Sequence, residues 1–100
     1  MTQKELVIKA KLENEDEFLK RCVIVLFGYQ EADEKAAKHT MHENGMGFNK
    51  ADGNYLSDMA LVYKNCYDLS DPSVATEQLP EVRRRMLKYA GQLARVLKDI

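Results

Sequence analysis

The sequence predicts a mainly α-helical protein, a compact bundle of three to four helices, and three observations carry that prediction. Apolar residues recur at three- and four-residue spacing in three separate stretches, the pattern of one helix face. One of these stretches opens on Glu15-Asp16-Glu17 and another on Pro80, both favoured in a first helical turn. A chain of 100 residues suffices for one modest core and forms one domain, residues 1–100, divided into an N-terminal arm (1–13) and a helical core (14–100).

Composition narrows the function classes. Hydrophobic residues at 45% and charged residues at 31% describe an ordinary globular protein. A net charge of −1 offers no global attraction to nucleic acid or membrane, so such binding would need local charge segregation. Apolar runs fall well short of the roughly 18 to 20 residues of a membrane span, and the residues after Met1 are polar, so a cytoplasmic location is expected. Cys22 and Cys66 form no CxxC pair and read as two reduced thiols.

Residues 2–12 are read as an arm that is either strand or helix, because Leu6, Ile8, Ala10 and Leu12 alternate while Lys4, Lys9 and Lys11 sit between them. Asn14 can cap a helix beginning near Glu15, on which Phe18, Leu19, Cys22, Val23, Leu26 and Phe27 share one face; the run 22–27 would also suit a buried strand, and the acidic entry favours the helix. Gly28 can end or bend it, and residues 31–38 then continue it or form a second helix. Residues 40–49 are loop. Three of the five glycines, Gly45, Gly47 and Gly53, fall within nine positions, which suggests positive φ or close backbone approach. Asn49 or Asp52 can cap the next helix, with Tyr55, Leu56, Met59, Ala60, Val62 and Tyr63 on its apolar face and an end near Lys64-Asn65. Residues 65–78 form a polar connection that either carries function or packs through Tyr67, Leu69 and Val74.

A last helix spans residues 79–98, its apolar face built from Val82, Met86, Tyr89, Leu93, Val96, Leu97 and Ile100. Arg84, Lys88, Arg95 and Lys98 gather opposite, with Arg83 and Arg85 on the shoulders. Residues 80–98 hold six basic residues against one acidic, while the rest of the chain holds nine against fifteen. Such a stripe is either a solvated face or a phosphate-binding surface. The run Arg83-Arg84-Arg85 sits at the unfavourable end of a single long helix for its dipole, which a binding use would explain. Gly91, within the stripe, either admits a nucleic-acid backbone between Lys88 and Arg95, or packs against another helix, or is simply tolerated.

Other constellations point away from catalysis. His39 and His42, even with Cys22 or Cys66, match no structural zinc spacing, so no metal is expected. Gly45-Met46-Gly47 before Lys50 lacks the Gly-Lys-Ser/Thr ending of a phosphate cradle. Asp52 and Asp58 read as cap and surface residues, since no nucleophile or histidine is fixed beside them. Tyr29, Tyr55, Tyr63, Tyr67 and Tyr89 offer stacking surfaces, but several are at core spacing. No cofactor is expected, and the chain reads as non-enzymatic.

Four segments carry a resemblance. Gln30-Glu31-Ala32-Asp33-Glu34, Asn44-Gly45-Met46-Gly47-Phe48-Asn49-Lys50-Ala51-Asp52, Leu56-Ser57-Asp58-Met59-Ala60 and Arg84-Arg85-Met86-Leu87-Lys88-Tyr89-Ala90-Gly91-Gln92-Leu93-Ala94 are similar to a small module of bacteriophages and mobile genetic elements. That module occurs alone or beside helicase-type and DNA-replication or repair domains. The resemblance spans residues 30–97 and implies a DNA-transaction context without a catalytic residue. The chain departs from the pattern at Tyr55 and Met59 and in its longer acidic connection, residues 68–77.

The resulting expectation is an accessory module of phage or mobile-element DNA metabolism that contacts single-stranded or forked DNA. Arg83, Arg84, Arg85, Lys88 and Arg95 would meet phosphates, Gly91 would admit the backbone, and Asn49 and Lys50 would reach it from the loop. A helicase, polymerase or other protein is the expected partner. Two alternatives stand: a small phage adaptor or inhibitor docking on a host or replication protein, and a metal- or nucleotide-dependent enzyme.

Overall fold

The computed structural model describes residues 2–39, 48–66, 68–69, 73 and 75–97, with the side chains of residues 30–39 and of Lys50 outside that description. Helix α1 (Gln3–Asn14) is followed by α2 (Asp16–His39), α3 (Lys50–Lys64), a 3₁₀ turn (Thr76–Gln78), α4 (Leu79–Met86), a second 3₁₀ turn (Leu87–Tyr89) and α5 (Ala90–Val96). No strand occurs among the described residues.

The segment whose alternation left strand or helix open is helix α1. Thr2 caps it, its hydroxyl accepting the amide of Glu5 at 3.2 Å. Ile8 and Leu12, four apart, are fully buried, while Leu6 (55% exposed) and Val7 (41%) face outward. Apolar side chains thus occupy two faces of the helix, and the apparent period of two is the sum of both. Far from a peripheral arm, α1 packs on α2 and α5 and belongs to the core.

A single residue joins α1 to α2. Glu15 is extended (φ −119°, ψ 105°), its amide closing α1 on the Lys11 carbonyl and its carbonyl accepting the Leu19 amide that opens α2. Asn14, predicted as the cap, is instead the last residue of α1 and donates its side-chain amide to the Ala10 carbonyl. Arg83 braces this corner from α4, donating to the Leu12 carbonyl at 2.8 Å and pairing with Asp16.

Helix α2 runs unbroken through Gly28, which is exposed and has nothing within 4 Å of where a Cβ would sit. It packs chiefly on α3. Leu19, Cys22, Val23 and Leu26 meet Leu56, Met59, Ala60 and Tyr63, and Leu79, Val82, Met86, Tyr89, Ala90 and Leu93 complete the core. Phe18, Phe27, Tyr55 and Leu97 pack at its edge, whereas Val62 is 46% exposed and lies off the predicted apolar face.

Gly53 lies inside α3 with open space at its Cβ position, so it answers neither to a positive φ nor to a close approach. Gly45 and Gly47 fall outside the described residues, as do His42, Tyr67, Val74, Lys98 and Ile100. Among the described residues, the non-glycine in the left-handed region is Ala75 (φ 49°, ψ 35°), just before the first 3₁₀ turn. Leu69 packs on the core, and the buried Lys20 donates to its carbonyl at 3.2 Å, tying the connection to α2.

The predicted last helix is present as the rod α4, 3₁₀, α5, with backbone extended again at Leu97 (φ −85°, ψ 121°). The tightened turn Leu87–Tyr89 places Arg83, Arg84 and Arg85 in the last turn of α4, where cations are favoured. The dipole conflict expected of a single long helix is thereby reduced.

Candidate functional site

The most elaborate polar arrangement among the described residues joins the first turn of α3 to the last rod. Asn49 caps α3, its Oδ1 accepting the Asp52 amide at 2.8 Å. In a capping box the third helical residue would reach back to the amide of the cap. Here Tyr89 stands between them: the Asn49 amide donates to Tyr89 Oη at 2.9 Å, and Tyr89 Oη donates to Asp52 Oδ2 at 2.7 Å. The Phe48 ring meets the Tyr89 ring edge-on, with centroids 5.8 Å apart.

Asp52 is 3% exposed and also accepts from Lys88 Nζ at 2.7 Å and Arg85 Nη1 at 3.1 Å. Burial alone would raise its pKa, but the bonds from Lys88, Tyr89 and Arg85 together hold it below the ordinary carboxylate range. Burial pushes the Tyr89 phenol up to about 12, an effect the Asn49 amide opposes and Asp52 reinforces.

Glu81 forms the outer half of the network. Arg84 donates to both its oxygens, at 2.9 and 2.5 Å, and Arg85 Nε to Oε1 at 2.8 Å. These two guanidinium groups, Arg84 foremost, lower the Glu81 carboxyl to about 2. Arg85 also lies 4.7 Å over the Tyr55 ring, so it is held by two carboxylates and an aromatic face.

The predicted basic residues therefore divide. Arg83 and Arg85 have side chains only 25% and 23% exposed and serve internal contacts. Arg84 (68%) and Lys88 (48%) present cations to solvent while paired with Glu81 and Asp52. Arg95 is exposed and has no hydrogen bond or ion pair among the described residues. The side chain of Asn49 is engaged in capping, and that of Lys50 lies outside the described residues. Gly91 faces α1, where a Cβ would lie 3.9 Å from the Glu5 carboxyl carbon, so its stretch of the rod is bordered by a carboxylate. Gly91 lines an open groove of about 620 Å³ with Thr2, Lys4, Glu5, Gln92 and Arg95.

Asp52, read from sequence as a cap or surface residue, is the centre of the network, and neither Glu81 nor the Tyr89 hydroxyl was expected to take part. The available signal was spacing: Glu81, Arg84, Arg85 and Lys88 are i, i+3, i+4 and i+7, so one carboxylate must lie beside two guanidiniums. The Asp52 contacts join residues 33 to 37 apart and leave no local trace. No cluster of three or more His, Cys, Asp or Glu residues suited to a metal occurs among the described residues, and no described helix is long and apolar enough to cross a membrane. Cys22 is buried, which pushes its thiol up to about 12, and Cys66 is half-buried; both are free. Comparison with protein-family models, with curated proteins and with solved structures finds no match for the chain.

Proposed function

We propose that this domain is a non-enzymatic accessory module of phage or mobile-element DNA metabolism that contacts single-stranded or forked DNA through the outer face of the last rod. The observation supporting the reading is that Arg84, Lys88 and Arg95, four and seven residues apart, are cations exposed to solvent along that rod. Phosphate contact needs such cations and no base-reading geometry, so binding is electrostatic, salt-sensitive and indifferent to sequence. Arg83 and Arg85 shape the surface and the exposed cations meet the phosphates.

A second reading draws on a specific observation. Arg84 and Lys88 already have intramolecular carboxylate partners, and Glu5 borders Gly91, which suits an adaptor that meets a helicase, polymerase or other protein better than it suits tight DNA binding.

Fluorescence anisotropy of labelled single-stranded, duplex and forked oligonucleotides separates the two. The comparison is wild type against Arg84→Glu/Arg95→Glu, at low and moderate salt. The DNA reading expects binding that weakens with salt and is lost in the folded double variant. Absence of binding to all three at low salt refutes it and leaves the adaptor, for which a stoichiometric complex surviving nuclease treatment is the positive result.

A further inference from the structure

We infer that Glu81 and Asp52 act as internal competitors for DNA phosphate, limiting how strongly the exposed cations of the last rod bind. The inference rests on the nucleic-acid reading above and concerns the regulation of the same surface.

The contacts set up the competition. Glu81 occupies both Arg84 Nε and Nη2, the paired donors that a guanidinium would offer to a phosphate, and it takes Arg85 Nε as well. Asp52 takes one donor of Lys88 and one of Arg85. Lys88 is nevertheless about half exposed, and an ammonium has three donors, so its outward side still faces solvent. A phosphate arriving there meets a cation whose charge is already opposed by a fixed carboxylate at 2.7 Å. Three cations, Arg84, Arg85 and Lys88, thus stand against two carboxylates, and the patch offers a net charge of one where the local sequence, with Glu81 counted, suggests two.

The two carboxylates differ in how they are held. Glu81 shares a helix with its arginines, three and four residues away, whereas Asp52 reaches them from α3 and is fixed there by the Asn49 cap and the Tyr89 hydroxyl. Removing either charge should free about one cation. For single-stranded DNA that adds about 0.7 to the salt slope, which with equal affinities at 1 M salt tightens binding roughly eightfold at 50 mM.

The test is the anisotropy salt titration on a labelled single-stranded oligonucleotide with wild type, Glu81→Gln and Asp52→Asn, each checked for helical circular dichroism. Tighter binding with a steeper slope in both variants is the expected result. Where Asp52→Asn fails to fold, Glu81→Gln, at a partly exposed position, decides alone. Wild-type binding that is unchanged or weakened by the substitutions overturns the inference while the DNA reading stands, since the carboxylates would then position the cations. No binding by any of the three proteins at low salt overturns both.

Discussion

Tyr89 Oη donates to Asp52 Oδ2 at 2.7 Å while accepting the Asn49 amide at 2.9 Å, so one phenol joins the cap of α3 to its third residue from another helix. The start of α3 is thereby locked to the tightened turn between α4 and α5. Helix capping, usually a local matter, is here a tertiary contact.

Removal of the Tyr89 hydroxyl tests that lock. Tyr89→Phe keeps the ring against Phe48, leaves the Asn49 amide without its partner and leaves Asp52 Oδ2 with Lys88 alone, at a cost of about 1–3 kcal/mol. The melting temperature should drop by roughly 5–15 °C. An unchanged melting temperature would show that water replaces the hydroxyl without loss.

The same cluster sets the response to acid. Asp52 is held below its ordinary value of 3.8, so its stabilising contribution is complete above that pH and is lost as pH falls through the folded value. Glu81, held at about 2 against an ordinary 4.5, acts in the same direction with less weight because its side chain is partly exposed to solvent. Thermal melts should decline from about pH 5 down to pH 2, and the decline should be shallower in Asp52→Asn. Tyr89 acts oppositely: its contribution is intact below its ordinary value of 10 and lost as pH rises through about 12.

Three backbone substitutions should stabilise the fold. A Cβ at Gly28 meets nothing within 4 Å and one at Gly91 meets only Glu5 at ordinary contact distance, so each change to alanine should add about 0.5–1 kcal/mol. Ala75→Gly should relieve the left-handed strain by about 1 kcal/mol. Chemical denaturation measures all three. A Gly91→Ala variant that loses DNA affinity would restore the idea of backbone approach at that position.

The thiols should separate cleanly. Cys66 is half-buried and donates to the Asp68 carbonyl, while Cys22 is 1% exposed with its thiol pushed up to about 12. Titration of the native protein with a thiol reagent should therefore modify Cys66 and spare Cys22 until unfolding. Equal rates at both would mean that the α2–α3 core opens readily.

The legible parts of the fold were those with a single apolar face. Leu19, Cys22, Val23 and Leu26 on α2, and Val82, Met86, Tyr89 and Leu93 on the last rod, are buried at the spacings the sequence displays. Helix α1 was ambiguous because the exposed Leu6 and Ala10 lie on the side opposite the buried Ile8, and the two sets interleave with a period of two. Gly28 and Gly53 looked like breaks or turns, but tertiary packing carries both helices through them at a cost of about 1 kcal/mol each. The basic stripe was visible, and its neutralisation was half visible: Glu81 is local, whereas Asp52 reaches the last rod only through the packing of α3 beside it. A left-handed alanine at position 75 has no sequence signal at all.

The proposed contact between the exposed cations of the last rod and DNA phosphates is tested by the salt dependence of wild-type affinity for a labelled single-stranded oligonucleotide. Three exposed cations predict measurable binding at low salt and a slope of log affinity against log salt of about −2 at most. No binding at low salt, or binding that salt leaves unchanged, would rule out phosphate contact by these cations.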